Sequence, residues 1–386
     1  MNARKIFSAT LLQTLIAALF LTLPLLAGNV QAQTQVAVVA TVTTGGQPTG
    51  LGIDPSSNLI YVANKSGNSV AVIDGSTDTV LVSAIPVGSN PVAIAVSRSP
   101  RRIFVANTGD ATLSVIDSDT ASPTFNTVIN TISLTSAVPL TGLNNVRGIC
   151  VFPDPTNGAP KVYVPATTGT AGKLLIVDPA TNGITTVSLP SGGNNPVTAV
   201  AQLTGSLRVI VGYADRARLS YVSPLLPIPV NGANVGDQQQ AVGVNQWFNK
   251  IFVHRRTGGA NSVWEVKTVD GTGVGTTVVA NGTTTVTKGF GDIGVAYGRN
   301  YVANGTDNTV SVIDTYCSAP DPNGGSEPSA PCPVPNPNPN PNQYLIIQTV
   351  TVGTTPWGVA VNGSSGKIYV ANSGSGTVSV LAKQQN

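Results

Sequence analysis

A chain of 386 residues with 20 basic and 17 acidic side chains carries a net charge of +3, too little for general binding to nucleic acid or an anionic membrane. Only 10% of residues are charged, while 41 are Gly and 28 are Pro, a composition of short strands joined by many turns. One histidine and three cysteines leave little material for zinc, haem or multi-histidine copper chemistry.

The chain opens MNARKIFSATLLQTLIAALFLTLPLLAGNVQAQ. Arg4 and Lys5 form a basic start, an apolar stretch runs from about Ile6 to Leu26, and Val30–Ala32 offers a small-residue cleavage site. These three features together read as a secretory signal over residues 1–32. The expected location is therefore the periplasm, the medium or the cell surface. Losing Arg4 and Lys5 leaves 18 basic residues against 17 acidic ones, a mature net charge of +1. No second apolar run approaches membrane-spanning length, so no membrane span is expected once the signal is removed.

The first repeating unit follows at once. TGLGID, LIYVAN, SVAVID and TVLVSAIPVG read as four strands, and NPVAIAV then begins the next unit. Each is rich in β-branched residues and bounded by Gly, Asn, Asp or Pro. The hairpin recurs as IFVANTGDATLSVID from Ile103, NYVANGTDNTVSVID from Asn300 and IYVANSGSGTVSVL from Ile368. Degraded copies surround Tyr163, Ile210 and Phe252, giving spacings of 43, 59, 47, 42, 49 and 68 residues. Neither strand face alternates apolar with charged residues, which suits sheets covered on both sides by other sheets. Four-stranded repeats of this length, stacked radially, predict an all-β, seven-bladed β-propeller of four-stranded antiparallel blades over residues 33–386.

The last unit stops after its third strand, at TVSVLAKQQN. VVATVTTGGQP (38–48) aligns without a gap to IIQTVTVGTTP (346–356), so the N-terminal strand is expected to complete the last blade, close the ring and remove two exposed edges. A Pro/Asn-rich insertion at 317–342 within blade 6 cannot form a packed core and is expected on the surface. Cys317 and Cys332 bracket part of it and form a candidate disulfide in an oxidising compartment. Cys150, in GICVF, is expected to be a buried small hydrophobe.

The pattern IYVANxxxxTVSVID, followed by a Thr-rich strand and VGxxPxGIAV, resembles the YVTN-type β-propeller repeat proteins. The resemblance is specific in blades 1, 2, 6 and 7 and weak in blades 4 and 5. It implies an exported bacterial or archaeal surface protein. Related repeats occur in cytochrome-d1-like and nitrous-oxide-reductase-like enzymes, but the repeat implies no catalytic residue set.

Chemical motifs are sparse. GFGDIG (Gly289, Gly291, Gly294) matches a dinucleotide fingerprint, yet the sequence after it reads as strand, where a phosphate-binding helix would be needed. There is no C-x-x-C-H, no P-loop and no G-x-S-x-G, so no cofactor, metal site or catalytic set is expected. The recurrent Asp74, Asp117, Asp178 and Asp314, and Asn64, Asn107, Asn304 and Asn372, are expected to bond their own turns.

Deviation from the repeat is the remaining clue. Blade 4 has VGYADRAR and blade 5 VHRR where other blades read VAN. This places Tyr213, Asp215, Arg216, Arg218, His254, Arg255 and Arg256 in neighbouring loops of one face, with His254 itself expected in a surface loop. Arg147 and Trp357 follow the entry to their first strands, near the channel mouth. Arginine forks suit carboxylate or phosphate, so these nine residues form a candidate anion-binding sector. The expected function is a non-enzymatic, monomeric module binding or scaffolding a protein, glycan or small anion. The alternatives are a lactonase-like or lyase-like propeller enzyme using His254 with a nearby Arg or Asp, and a structural cell-surface component.

Overall fold

The computed structural model describes residues 35–136, 143, 146–168, 171–190, 197–203, 208–214, 218–225, 227–234, 239–245, 250–257, 260–267, 284–286, 293–296, 298–315 and 346–384. The expected signal, the 317–342 insertion, Cys317, Cys332, Asp215 and Arg216 lie outside them.

Strand β1 (Val36–Thr43) leads into a first sheet of β2 (Pro48–Asp54), β3 (Leu59–Asn64), β4 (Ser69–Asp74) and β5 (Thr79–Pro86). The second holds β6 (Pro91–Arg98), β7 (Arg101–Asn107), β8 (Thr112–Asp117) and β9 (Val128–Ser133). The third holds β10 (Cys150–Pro153), β11 (Pro160–Thr168), β12 (Ala171–Asp178) and β13 (Gly183–Ser188). The fourth holds β14 (Val197–Leu203), β15 (Arg208–Tyr213), β16 (Arg218–Val222) and β17 (Pro229–Asn234). The fifth holds β18 (Gln239–Asn245), β19 (Lys250–Thr257), β20 (Ala260–Lys267) and β21 (Thr284–Val286). The sixth holds β22 (Ile293–Ala296), β23 (Arg299–Asn304), β24 (Thr309–Asp314) and β25 (Ile346–Thr351). A seventh joins β26 (Pro356–Val361), β27 (Ile368–Asn372) and β28 (Thr377–Lys383), with β1 added beside β28. Each is an antiparallel meander, and the described residues otherwise contain only two short 3-10 turns.

The turns follow from residues that tolerate a left-handed backbone. Asn68 closes the β3–β4 turn at φ 47°, Asn308 the β23–β24 turn at 58° and Gly376 the β27–β28 turn at 66°. Ala111 takes the same place in the second sheet at 52°, where a Cβ is unfavourable.

The core is divided among the sheet-to-sheet interfaces. Tyr61, Val70 and Val72 of the first sheet pack with Ile103, Val105 and Ile116 of the second. Ile60, Val62 and Ile73 on the opposite face pack with Tyr369, Val378 and Val380 of the seventh. All six residues of β3 are therefore buried, which is why its sequence shows no polar face. A cluster of this kind lies between every pair of consecutive sheets.

The first strands of consecutive sheets also touch: β2 with β6, β6 with β10, β10 with β14, β14 with β18, β18 with β22, β22 with β26, and β26 with β2. Small residues permit this approach. A Cβ on Gly50 would come within 2.5 Å of the Val92 carbonyl oxygen, and one on Gly294 within 2.8 Å of Val359. Gly294 is thus a packing glycine followed by another strand, β23, as the reading of GFGDIG as accidental requires.

Val36 and Val42 of β1 are buried, and β1 pairs with β28 from Val36↔Lys383 to Thr43↔Thr377. The sixth sheet grips the same strand: the Val36 N–H donates to Gln348 Oε1 at 2.8 Å, and Gln348 Nε2 donates to the Val36 carbonyl at 2.6 Å.

Candidate functional site

The repeated residues are largely engaged in holding the sheets. Asn107 Nδ2 donates to Thr112 Oγ1 at 3.0 Å and to Ser114 Oγ at 2.9 Å. Asn304 and Asn372 make the same pair of bonds to Thr309 and Ser311, and to Thr377 and Ser379. In the first sheet the matching serine is Ala71, and Asn64 Nδ2 instead donates to the Thr44 carbonyl at 2.7 Å. The repeat tyrosines reach the next sheet: Tyr61 Oη donates to Asn126 Oδ1 at 2.9 Å and Tyr369 Oη to Asp78 Oδ1 at 3.3 Å. Burial pushes both phenols well above their ordinary range, so they remain neutral donors.

The carboxylates are similarly occupied. Asp74 accepts from the Ser76 N–H and hydroxyl. Asp117 accepts from Ser122, Thr124, the Asp119 N–H and Arg102. Asp54, outside the recurrent set, pairs with Arg101 of the next sheet at 2.8 Å. Burial alone would raise the Asp54 pKa, but bonds from Arg101, Ser56 and Ser57 outweigh it and hold the carboxyl below its usual range. Cys150 is a buried free thiol whose pKa burial raises, which disfavours the nucleophilic thiolate.

The candidate sector divides. Tyr213 ends β15 at the position that Asn107 holds in β7. It is wholly buried, and its hydroxyl donates to Ser220 Oγ at 2.6 Å, replacing the Asn-to-Ser bond of the other sheets. It is a hairpin residue, contrary to the loop expectation. His254 likewise lies within a strand, wholly buried. It faces Ala241 in the β18–β19 register as Ala106 faces Ala93 in the second sheet. The expected surface-loop histidine is thus a substitution at an interior alanine position.

Arg255 and Arg256 also belong to β19, opposite Ser262 and Asn261. Pairing there continues to Thr257↔Ala260, whereas β3 ends at Asn64↔Ser69. Arg255 holds the register position of Asn64, and here the ladder runs on past it. Arg218 begins β16 opposite Asn234. Three arginines expected in loops are therefore strand residues.

Arg147 and Trp357 do come together. The Arg147 guanidinium carbon lies 4.7 Å from the centroid of the Trp357 ring, a cation–π contact. Arg147 precedes β10 and Trp357 lies in β26, and these strands are not neighbours in the order of first-strand contacts. Their contact therefore joins two regions that are not adjacent in that order. Arg147 also lines a cavity of about 150 Å³, with Leu51, Ile94, Ile149, Val242 and Ile293, plus Gly50, Ala93, Gly148 and Ala241. Sequence reasoning named the arginine and the tryptophan but missed the aliphatic lining. Its signal was available: Leu51, Ile94, Val242 and Ile293 lie at matching register positions of β2, β6, β18 and β22. Among the described residues no group of three or more His, Cys, Asp or Glu is placed to hold a metal ion.

Comparison with known proteins gives a fold and little more. Residues 354–381 match the NHL repeat, and no curated protein sequence matches the chain. Among solved structures, Kuenenia stuttgartiensis hydrazine synthase is similar at 14% identity and a TM-score of 0.61, over 92% of this chain and 99% of that one. The β-propeller domain of Cps50 (Swd1) from Myceliophteria thermophila is similar at 9% identity and a TM-score of 0.64, over 91% and 100%. The WD40 β-propeller domain of Doa1 is similar at 12% identity and a TM-score of 0.61, over 92% and 99%. The chain folds as a β-propeller built from repeats.

Proposed function

We propose that this chain is an exported binding or scaffold module of YVTN-repeat type, a seven-bladed ring closed by its own N-terminal strand. The seven four-stranded sheets, the first-strand contacts and the β1–β28 pairing support the ring. The basic and apolar N-terminal stretch, followed by a small-residue cleavage site, supports export.

The observation that carries the binding reading is the division of labour among polar side chains. Tyr61, Asn107, Asp54 and Asp117 are tied to neighbouring strands and turns, while Arg147, stacked on Trp357, lines a cavity. A concave space with a charged side chain in its wall is a common setting for a ligand site. The ligand classes that remain are a protein, a glycan or a small anion. His254, the residue an acid–base enzyme would need, is buried within β19, and no observation favours that alternative.

The test uses the mature chain, residues 33–386, with carboxylates, sugar acids, phosphates, oligosaccharides and lactones. Each ligand is scored for thermal shift and for consumption. The expected outcome is a shift without turnover; consumption of a panel compound, lost in His254→Ala, overturns the reading. A ligand at 100 times its dissociation constant adds about 2.7 kcal/mol. N-terminal sequencing of the protein recovered outside the cytoplasm should begin at Gln33, and a cytoplasmic pool with an intact N-terminus would refute export.

A further inference from the structure

We propose that β1, β5 and β9 form a face through which two copies of this chain associate about a two-fold axis. The inference goes beyond the binding reading above and replaces the expectation of a monomer.

Each sheet ends, away from the touching first strands, on a last strand with one edge unpaired by another strand: β5, β9, β13, β17, β21, β25 and, in the seventh sheet, β1. Such edges commonly carry charged side chains that block wrong association. None of these seven described strands holds Lys, Arg, Asp or Glu. Among the described residues seven large apolar side chains are exposed, and five of them, Val38, Val39, Val80, Leu81 and Ile129, lie on β1, β5 and β9. These strands belong to consecutive sheets. β1 touches β5, and Val82 of β5 and Val128 of β9 pack against one cluster, so the exposed residues fall on one continuous stretch of surface. Apolar patches of this kind commonly mark interaction sites.

A repeated irregularity turns these side chains outward. Val38 faces Leu381 and Ala40 faces Val380, which leaves Val39 as an extra residue in the ladder. Leu81 is extra in the same way between Val80 and Val82, and Ile129 between Val128 and Asn130. These are β-bulges at one repeated position. A bulge re-aims a side chain and bends its strand, and the three bulged residues are 54%, 53% and 42% exposed. It also spoils an edge for further strand pairing, so the face suits side-chain packing and not open-ended sheet extension. The third sheet pairs Ile176 with Thr185 and Val177 with Ile184 without a bulge, and Ile184 is partly buried. The face therefore stops there.

The occupant follows from charge and size. In a two-fold contact the residues nearest the axis meet their own copies, so a charge there would face a like charge. A face without charge meets that condition, and it offers a foreign partner no charge to steer by. Strands of eight, eight and six residues supply about 20 residues, the number on one side of a standard interface. β5 is the middle strand of the three, which puts Leu81 nearest the axis.

The test is sedimentation equilibrium of the mature chain, residues 33–386, beside Leu81→Lys, Leu81→Glu and Leu225→Lys. Both positions are exposed, so the variants should keep the parental melting curve. The parent should dimerise at micromolar concentration, within the range of interfaces of this size. Leu81→Lys and Leu81→Glu should each weaken the dimer at least tenfold, more so at low salt. Mixing the two should restore a dimer holding one of each. Leu225→Lys, between β16 and β17, should dimerise like the parent. If the Leu81 variants lose the parental melting curve, Val39→Lys and Ile129→Lys take their place and should weaken the dimer at least tenfold. A parent that stays monomeric at about 100 μM, a dimer indifferent to these substitutions, or no recovery on mixing overturns the proposal. Species growing beyond the dimer and abolished by Leu225→Lys would mean a head-to-tail contact and overturn it too. None of these outcomes touches the binding-module reading, which stands or falls on the ligand panel.

Discussion

The Asn–Ser bond that recurs in three hairpins makes a quantitative prediction. In the second sheet Asn107 and Ser114 are both wholly buried, with Nδ2 to Oγ at 2.9 Å and a second bond to Thr112 at 3.0 Å. Asn107→Ala removes two hydrogen bonds of about 1 kcal/mol each, a loss of about 2 kcal/mol. Ser114→Ala removes one, about 1 kcal/mol, so independent losses would sum to about 3 kcal/mol. The double variant should instead lose about 2 kcal/mol, a coupling of about 1 kcal/mol in a double-mutant cycle. With an unfolding entropy of about 2.1 cal/mol/K per residue over this length, 2 kcal/mol lowers the melting temperature by about 3 °C, readable by calorimetry. Additive losses, or an Asn107→Ala variant as stable as the parent, would refute the claim that this asparagine holds the hairpin. The first sheet supplies a natural control: Ala71 replaces the serine there and Asn64 gives one amide proton to the Thr44 carbonyl, so Ala71→Ser offers an acceptor for the other proton and should gain about 1 kcal/mol.

Deleting residues 36–43 exposes the β28 edge and removes two buried valines, a cost of about 5 kcal/mol or more by chemical denaturation; removing 384–386 should be nearly neutral, and equal small effects would contradict the closure. Gln348→Ala, which keeps β1 but loses its two backbone bonds, should cost about 2 kcal/mol. Ala111→Asn, at φ 52°, should raise stability by about 1 kcal/mol in thermal melts, because Asn tolerates the left-handed backbone that Asn68 adopts at the same place. The pKa values of Asp54, Asp117 and Asp178 are depressed despite the opposing effect of burial, by Arg101, by Ser122 and Thr124, and by Lys161. Their stabilisation is therefore present above about pH 4 and lost as pH falls through the folded values. The raised Tyr61 and Tyr369 values act oppositely, contributing below about pH 10 and losing effect above it. Melting temperature against pH should show a plateau between these limits, and Asp54→Asn should flatten its acid edge.

Much of the fold was legible because its signals are local. LIYVAN and SVAVID coincide with β3 and β4 since each run is bounded by Asn, Ser or Asp and by a turn that admits a left-handed residue. The β1–β28 pairing was readable from an ungapped repeat match. The site was less legible because the same period that revealed the strands obscured departures from it. Reading VHRR as a loop assumed that the fifth hairpin turns where the others do. It lacks the asparagine at which the ladders of the first, second, sixth and seventh sheets end, and pairing extends past Arg256 to Thr257. Tyr213 misled for a related reason, since a larger residue at an asparagine position still reaches the same serine. The Arg147–Trp357 contact joins sheets far apart in the sequence, which no local pattern encodes, although both positions stand out as departures from Thr49 and Val92.

The pairing of β1 with β28 has a consequence for the order in which this chain can fold. Val36 bonds a side chain 312 residues later in the sequence and its ladder partners lie later still, so β1 must wait while the intervening sheets form. Closing so long a segment costs little more entropy than closing one half its length, about 0.6 kcal/mol per doubling, but the contact comes late for any chain emerging N-terminus first. Until β28 arrives, β1 and β27 both present unpaired edges. An exported chain would carry that exposure into its new compartment, making the final pairing the step at which a chaperone that shields β-edges would matter most.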